Sequence, residues 1–312
     1  MDIYGVIGWP VKHTLSPAMH NAAFKELGMQ DKAKYIKIPI EPDVLEDFLL
    51  KDIEVKDTEG NPVRSKEILG FNITIPHKIK AKEILKERFD VAKSGDIQEE
   101  YLYYDKMTGA VNTVKRNGDD IEYCNTDPIG FRHSLVNDLG FGRTKGKSTL
   151  IIGCGGASRA VVAELAEPNN SMKKIYLYDI NREAVDSAKR HYFSLGNLEN
   201  KIMFIYDSKE LLKLRDEIDL LVNTSPMGME EGDERLAVDR NLLRKGKGLY
   251  VFDLVYNRKT RLFKEAFALG CYVVDGAGML AAQGAFSFSL WTGVPAVKVL
   301  ETMRNALKKA LS

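Results

Sequence analysis

Residues 149–166 read TLIIGCGGASRAVVAELA, and this stretch decides the architecture of the second half of the chain. An apolar β-branched run, a glycine turn and a helix-period segment follow one another in that order. Gly153, Gly155 and Gly156, with the small Ala157 beside them, let the backbone approach a pyrophosphate. The unpaired N–H groups and positive dipole end of the next helix favour that charge. Ser158 takes the third position of the dinucleotide fingerprint, where a small residue satisfies close helix–strand packing. Downstream, IYLYD (175–179), IMFIY (202–206), LLVN (220–223), LYVFD (249–253) and YVVD (272–275) alternate with helical segments. These are enough strands for a complete doubly wound parallel sheet.

Upstream a second α/β series appears. YGVI, YIKIPI and GFNITI are short β-branched runs, each followed by a helical pattern, as in parallel strands with helical crossovers. AVNTVKR and IEYCN flank the turn residues NGDD and predict a hairpin forming an antiparallel edge of that sheet. RFDVAKSGDIQEEYLYYDK (88–106) shows neither period and reads as an insertion or loop. The fold class is therefore α/β in two domains, a mixed N-terminal domain and a Rossmann-type dinucleotide-binding domain, with a cleft between them. The boundary is expected near DPIGFRHSLVNDLG (127–140). The last helical pattern, PAVKVLETMRNALKKAL, can pack on either domain.

Hydrophobic content of 44% and charged content of 29% describe a globular protein with a sizeable core. A net charge of +1 with dispersed Lys and Arg gives no electrostatic reason to expect nucleic acid or an anionic membrane. No window reaches the roughly 18 apolar residues of a membrane helix. MDIYGVIGWPV lacks a targeting pattern, which reads as cytoplasmic. The 3 cysteines and 5 histidines fall in no disulfide framework or metal frame, so no metal is expected. The partner is a small molecule, and a monomer or homodimer is expected.

Two sets of residues carry candidate chemistry. Asp179, closing the second strand of the dinucleotide domain, sits where an acid accepts from a ribose 2′-hydroxyl, which favours NAD. Asn181 and Arg182 follow, and a guanidinium there pairs with a 2′-phosphate, which favours NADP. Both cofactors stay open. In the first domain Lys78 follows GFNITI at the carboxyl end of a parallel strand, where ligands gather. The hairpin carries Asn112 in its first strand and Asp127 just after its second. A Lys78–Asp127 pair can give a proton to a carbonyl oxygen as hydride arrives at its carbon. Thr14 and Ser16 present two uncharged hydroxyls suited to a carboxylate, although Ser16 before Pro17 also reads as a helix cap.

At these residues the sequence resembles the shikimate dehydrogenase family over nearly the whole chain. The resemblance rests on GWPVKHTLSPAMHNAAF, NITIPHK, GAVNT, NTDPIGF, GCGGASRA, NTSPMGM, DLVYNRKT and GAGMLAAQGAFSFSLWTG, in that order. It implies that Lys78 and Asp127 are the catalytic pair. Thr14, Ser16, Thr74, Asn112 and Gln283 would contact the substrate, with Tyr256 beside it. Gly153, Gly155, Gly156, Ala157, Asn181 and Arg182 would bind the dinucleotide, with Met227 and Gly278 near its nicotinamide end. The resemblance also implies that helices 281–312 return to complete a substrate domain of residues 1–128, leaving 129–280 as the dinucleotide domain. The implied reaction is NADPH-dependent reduction of 3-dehydroshikimate to shikimate, on the way to chorismate and the aromatic amino acids. Thr14 stands where the family usually has Ser, and the family's Asn-Arg-Thr reads Asn181-Arg182-Glu183. These departures point to the alternative of a quinate/shikimate dehydrogenase using NAD. A dinucleotide-sensing protein without catalysis is the more distant alternative.

Overall fold

The computed structural model describes residues 1–93, 97–170, 172–246 and 248–312. They form two compact units, one of Met1–Gly130 with Leu280–Ser312 and the other of Phe131–Met279.

The first unit is built on six strands: β1 (Asp2–Gly8), β2 (Ala33–Pro39), β5 (Ile68–Ile73), β6 (Asp90–Val91), β7 (Thr113–Asn117) and β8 (Asp120–Cys124). Their order is β2-β1-β5-β7-β8-β6. The hairpin β7–β8 forms around Asp119 and a left-handed Gly118, but it is not the edge that its sequence suggests. β7 lies antiparallel between β5 and β8, and the two-residue β6 pairs parallel to β8 outside it. Two residues are too few to carry an alternating pattern. The short ribbon of β3 (Glu54–Lys56) and β4 (Pro62–Arg64), likewise silent in the sequence, stands apart from this sheet.

One face of the sheet buries Ile7, Ile38, Phe48, Phe71, Val114 and Tyr123 in a single apolar cluster. The other face packs α1 (Ser16–Glu26) and α10 (Ala277–Thr292) through Tyr4, Phe24, Phe288 and Trp291, and α11 (Val297–Leu311) lies against α1. The Trp291 indole N–H donates to the Val114 carbonyl at 2.9 Å. Gly70 leaves room for that ring, since a Cβ there would lie 2.5 Å from it.

The segment expected to be an insertion or loop contains a regular helix, α4 (Gln98–Thr108). Residues 94–96 of it lie outside the described residues. Its buried residues, Tyr101, Tyr104, Met107 and Thr108, fall on one helical face. The period is hidden when tyrosine is counted as polar, because here the rings are core and α4 is anchored by charge. Asp105 accepts from Lys82 at 2.6 Å, and Lys82 also donates to the Tyr123 hydroxyl at 2.9 Å. Lys82 belongs to α3 (Lys78–Leu85), so the pair ties α4 to the helix that begins with Lys78.

The second unit is a six-stranded sheet in the order β11-β10-β9-β12-β13-β14, with every adjacent pair parallel. The strands are β9 (Ser148–Ile152), β10 (Lys174–Tyr178), β11 (Ile202–Ile205), β12 (Leu220–Asn223), β13 (Tyr250–Asp253) and β14 (Tyr272–Asp275). This is the doubly wound order, reversing direction between β9 and β12. Strands β9 and β12 are buried along their whole length, as helices on both faces of a parallel sheet require.

In the first unit His20 is fully buried and stacks on Tyr35, with ring centroids 4.1 Å apart and planes within 6°. Neither ring nitrogen finds a protein partner, and burial pushes its pKa down to about 3. A neutral histidine in the fold opposes an unfolded chain that takes up a proton below its ordinary value near 6.5. The stabilisation is therefore complete above pH 6.5 and is lost as pH falls from there towards 3. Urea unfolding of the unmutated protein and His20→Phe at pH 7 and pH 5 should differ accordingly. The unmutated protein is expected to lose about 2 kcal/mol more over this interval than the variant, and equal losses would refute the assignment.

Candidate active site

Strand β5 ends at Ile73, and the chain turns through Thr74-Ile75-Pro76-His77 into α3. His77 is buried, and its Nε2–H donates to the Ile40 carbonyl at 2.7 Å. Burial lowers the His77 pKa, which suits a neutral ring making that bond. Its backbone N–H donates to Thr74, and the Lys78 carbonyl accepts from Val111. The first residue of α3 is thus held from three sides.

Lys78 Nζ donates to Asp127 Oδ2 at 2.5 Å, with only 19% and 9% of the two side chains exposed. Asp127 opens α5 (Asp127–Asn137), and its N–H donates to Asn125 Oδ1 at 3.1 Å, while the Asn125 amide donates to the Ala110 carbonyl. The second carboxylate oxygen, Oδ1, accepts from Asn112 Nδ2 at 2.7 Å. Asn112 reaches Gln283 Oε1 at 3.4 Å and Thr126 Oγ1 at 3.0 Å. A buried charge needs a partner at each oxygen, and Asp127 has one from Asn112, just before β7, and one from α3.

Thr14 and Ser16 pair with each other, Thr14 Oγ1 donating to Ser16 Oγ at 3.0 Å. Ser16 is not the cap its position before Pro17 suggests. The helix starts at Ser16 itself, so the cap residue is Leu15, whose hydrocarbon side chain makes no cap bond, and the Ser16 hydroxyl accepts from Thr14. Thr74 packs against Gly8, where a Cβ would fall 2.4 Å from its methyl group. Lys78, Asp127, Asn112 and Gln283 form one bonded cluster in the first unit, and Thr14 pairs with Ser16, whose side chain lies beside the Tyr35 phenol.

In the second unit, Gly153 adopts φ +103°, and a Cβ there would meet Thr224 Oγ1 at 2.5 Å. Gly155 caps α6 (Gly156–Ala166), and nothing lies within 4 Å of where its Cβ would be. Open space faces the first N–H groups of a helix, the geometry a pyrophosphate uses, so these residues fit a dinucleotide. Asp179 accepts from the Cys154 N–H at 2.9 Å through Oδ2 and from the Asn181 N–H at 2.8 Å through Oδ1. Each oxygen expected to read a ribose is already tied to backbone. Asn181 caps α7 (Arg182–Leu195) by accepting from the Glu183 N–H. The Arg182 guanidinium lies 5.2 Å from the centroid of the Tyr206 ring, whose hydroxyl donates to Asp186 at 2.7 Å.

Two further loops of this unit converge on the buried Asp253. Oδ1 accepts from Asn223 Nδ2 at 2.9 Å, and Oδ2 accepts from the Thr260 hydroxyl. Burial raises the Asp253 pKa. Asn223 in turn holds Ser225, whose Oγ accepts from the Met227 N–H, so this carboxylate shapes the segments bearing Met227 and Tyr256. Gly278 sits where a Cβ would strike Asp138 and Ser134. Among the described residues no cluster of His, Cys, Asp and Glu could hold a metal.

Residues 6–96 match the family model for the shikimate dehydrogenase substrate binding domain, and 276–308 match that for the shikimate 5′-dehydrogenase C-terminal domain. The shikimate dehydrogenase (NADP(+)) of Methanocaldococcus jannaschii is 36% identical over 313 residues, covering 98% of this chain and 95% of the relative. The chain belongs to the shikimate dehydrogenase family. Relatives at this level of identity are named NADP(+) shikimate dehydrogenases, oxidoreductases acting on a CH–OH group. A crystal structure of a shikimate dehydrogenase in complex with NADP+ superposes with a TM-score of 0.78 at 32% identity, covering 100% of this chain and 96% of that one. The Thermus thermophilus enzyme in complex with shikimate gives 0.73 at 28%, covering 100% and 99%.

The family motifs pointed to the ion pair but not to its surroundings. Thr113, Thr126 and Ser287 form a buried cluster of hydroxyls beside Asn112, with Thr113–Ser287 at 2.8 Å and Thr126–Ser287 at 3.1 Å. Thr113, Thr126 and Ser287 stand inside the motifs GAVNT, NTDPIGF and GAGMLAAQGAFSFSLWTG, but nothing along the chain signals that their three hydroxyls meet. Asp179 is open to test by calorimetry with 5′-AMP and 2′,5′-ADP. Because its carboxylate holds the glycine loop, Asp179→Ala should weaken both by about five- to tenfold. A loss confined to one nucleotide would show that the carboxylate reads the 2′ position instead.

Proposed function

We propose that this protein is a shikimate dehydrogenase, catalysing the reversible NADPH-dependent reduction of 3-dehydroshikimate to shikimate. The observation that carries the reading is the largely buried Lys78–Asp127 pair, whose carboxylate is held from its other side by Asn112. Bound NADPH would supply a hydride to the carbonyl carbon of the substrate. Lys78 Nζ gives its proton to the carbonyl oxygen, becoming a neutral amine, and later recovers a proton from solvent. Asp127 stays ionised throughout and holds the amine in place. In the oxidative direction the neutral amine accepts the hydroxyl proton.

Thr14 and Ser16 would take the substrate carboxylate with uncharged donors, while Asn112, Gln283, Thr74 and Tyr256 would meet its hydroxyls and ring, as the family likeness suggests. Gly153, Gly155, Gly156 and Ala157 would hold the pyrophosphate, Asn181 and Arg182 the 2′ end, and Met227 and Gly278 the nicotinamide end. The same reading places the protein in the cytoplasm, in aromatic amino acid biosynthesis. No helix of the described residues is long and apolar enough to cross a membrane.

A second reading, an NAD-using quinate/shikimate dehydrogenase, is favoured by charge around Arg182. Glu183 lies in the same first helical turn, and Asp186 bonds the tyrosine that the guanidinium covers. Carboxylates so close oppose a 2′-phosphate.

Initial rates with shikimate and with quinate, each with NADP+ and with NAD+, separate the two readings. Turnover confined to shikimate with NADP+ is expected, and faster turnover of quinate with NAD+ would support the second reading. Lys78→Ala should lower kcat by about 10²- to 10⁴-fold, the range for loss of a positioned acid–base group, with NADP+ affinity unchanged. An equal loss of dinucleotide affinity would remove Lys78 from the proton-transfer role.

A further inference from the structure

Asn72, in β5, is buried and uses its whole amide. Its Nδ2 donates to the Asn112 carbonyl at 3.1 Å, to Thr113 Oγ1 at 3.1 Å and to Ser287 Oγ at 2.9 Å. Its Oδ1 accepts from the Tyr35 hydroxyl at 2.8 Å. A carbonyl oxygen can only accept, so the nitrogen of Asn72 must face Asn112 and its oxygen must face Tyr35. The phenol is therefore the donor, and burial, which raises the Tyr35 pKa well above its ordinary value, keeps its proton in place.

The same reasoning orients Asn112. Its Oδ1 accepts from the Thr126 backbone N–H at 2.8 Å, a group that can only donate, and from Thr113 Oγ1 at 2.8 Å. The Asn112 nitrogen is thereby forced towards Asp127 Oδ1. Between the two amides lie the Thr113, Thr126 and Ser287 hydroxyls, each bonded to the others and all buried. One directed chain thus runs from Tyr35 to Asn72, through these hydroxyls and the Asn112 backbone, to the carboxylate beside Lys78. Tyr35 lies on β2, within the core and stacked on His20, with the Ser16 side chain beside its hydroxyl, and it is not itself among the groups proposed to meet the substrate.

We infer that Tyr35 is a positioning residue for the Lys78–Asp127 pair, acting by fixing the Asn72 amide and through it the orientation of Asn112. With the phenolic donor removed, Asn72 Oδ1 is left buried and unpaired. Its amide then has reason to rotate away from Ser287 and the Asn112 carbonyl. The inference rests on the shikimate dehydrogenase reading of the site.

Tyr35→Phe keeps the ring and its stack on His20 and removes only the donor. Steady-state oxidation of shikimate by the full chain should show kcat reduced about five- to twentyfold, with KM for NADP+ unchanged. The pH profile of kcat/KM should also move, because the carboxylate that holds the Lys78 proton has shifted. In an Asn112→Ala background the same substitution should have no further effect on kcat, since the residue it acts through is gone. Ser287→Ala removes another member of the chain and should reproduce the kcat loss and the pH shift, which covers the case of a phenylalanine variant that does not fold. Unchanged kcat, or an equal fractional loss with and without Asn112, would overturn the inference. Failure of the unmutated protein to oxidise shikimate would instead overturn the functional reading on which it rests.

Discussion

A carboxylate withdrawn from water must have both oxygens satisfied, and the organisation of the first unit follows from meeting that demand at Asp127. One oxygen is met by Lys78 and the other by Asn112. Taking either partner away would leave a buried charge exposed to the full cost of desolvation. To bring the partners together, the chain starts α3 at Lys78, starts α5 at Asp127 and lays β7, the strand that begins just after Asn112, beside β5. His77 and Asn125 contribute nothing to the proton itself. They hold the two helix starts in place, His77 through the Ile40 carbonyl and Asn125 through the Asp127 N–H.

The second unit uses the same device to fix its loops. Asp179 joins the glycine loop to the start of α7 by accepting one backbone N–H from each. Asp253 joins the loops after β12 and β13 by accepting from Asn223 and Thr260. Loops are the parts of an α/β unit freest to vary, and an acceptor-only group with several lone pairs is an economical way to hold two of them together. This explains how Asp179 can occupy the position of a ribose-reading acid while serving the loop first.

Much of this was legible in the chain. Alternating β-branched and helix-period segments specify two α/β units, one with a mixed and one with a parallel sheet, and the glycine turn, the hairpin residues and the lysine after β5 stand where their local chemistry requires. Other features were not legible because they depend on what is packed against them. Residues 98–108 lose their helical period when tyrosine is scored as polar, yet Tyr101 and Tyr104 lie in the core and Asp105 meets Lys82. Strand β6 is two residues long, and only its pairing with β8 makes it a strand. Ser16 carries the local signal of a helix cap, yet α1 starts at Ser16 itself and its hydroxyl accepts from Thr14.

The sequence by itself determined the periodicities, the glycine positions and the residue types of the site, since each is a property of neighbours along the chain. Which oxygen of Asp127 meets which donor, and the direction in which Asn72 and Asn112 present their amides, were decided only in three dimensions. So was the placement of Ser287 and Trp291, on the helix that returns from the far end of the chain, against the strands of the first sheet. The physical reason is that a hydrogen bond has a donor and an acceptor separated in sequence by arbitrary distances, here 215 residues between Asn72 and Ser287. Periodicity reports which face of an element is buried and carries no information about the group that awaits it there.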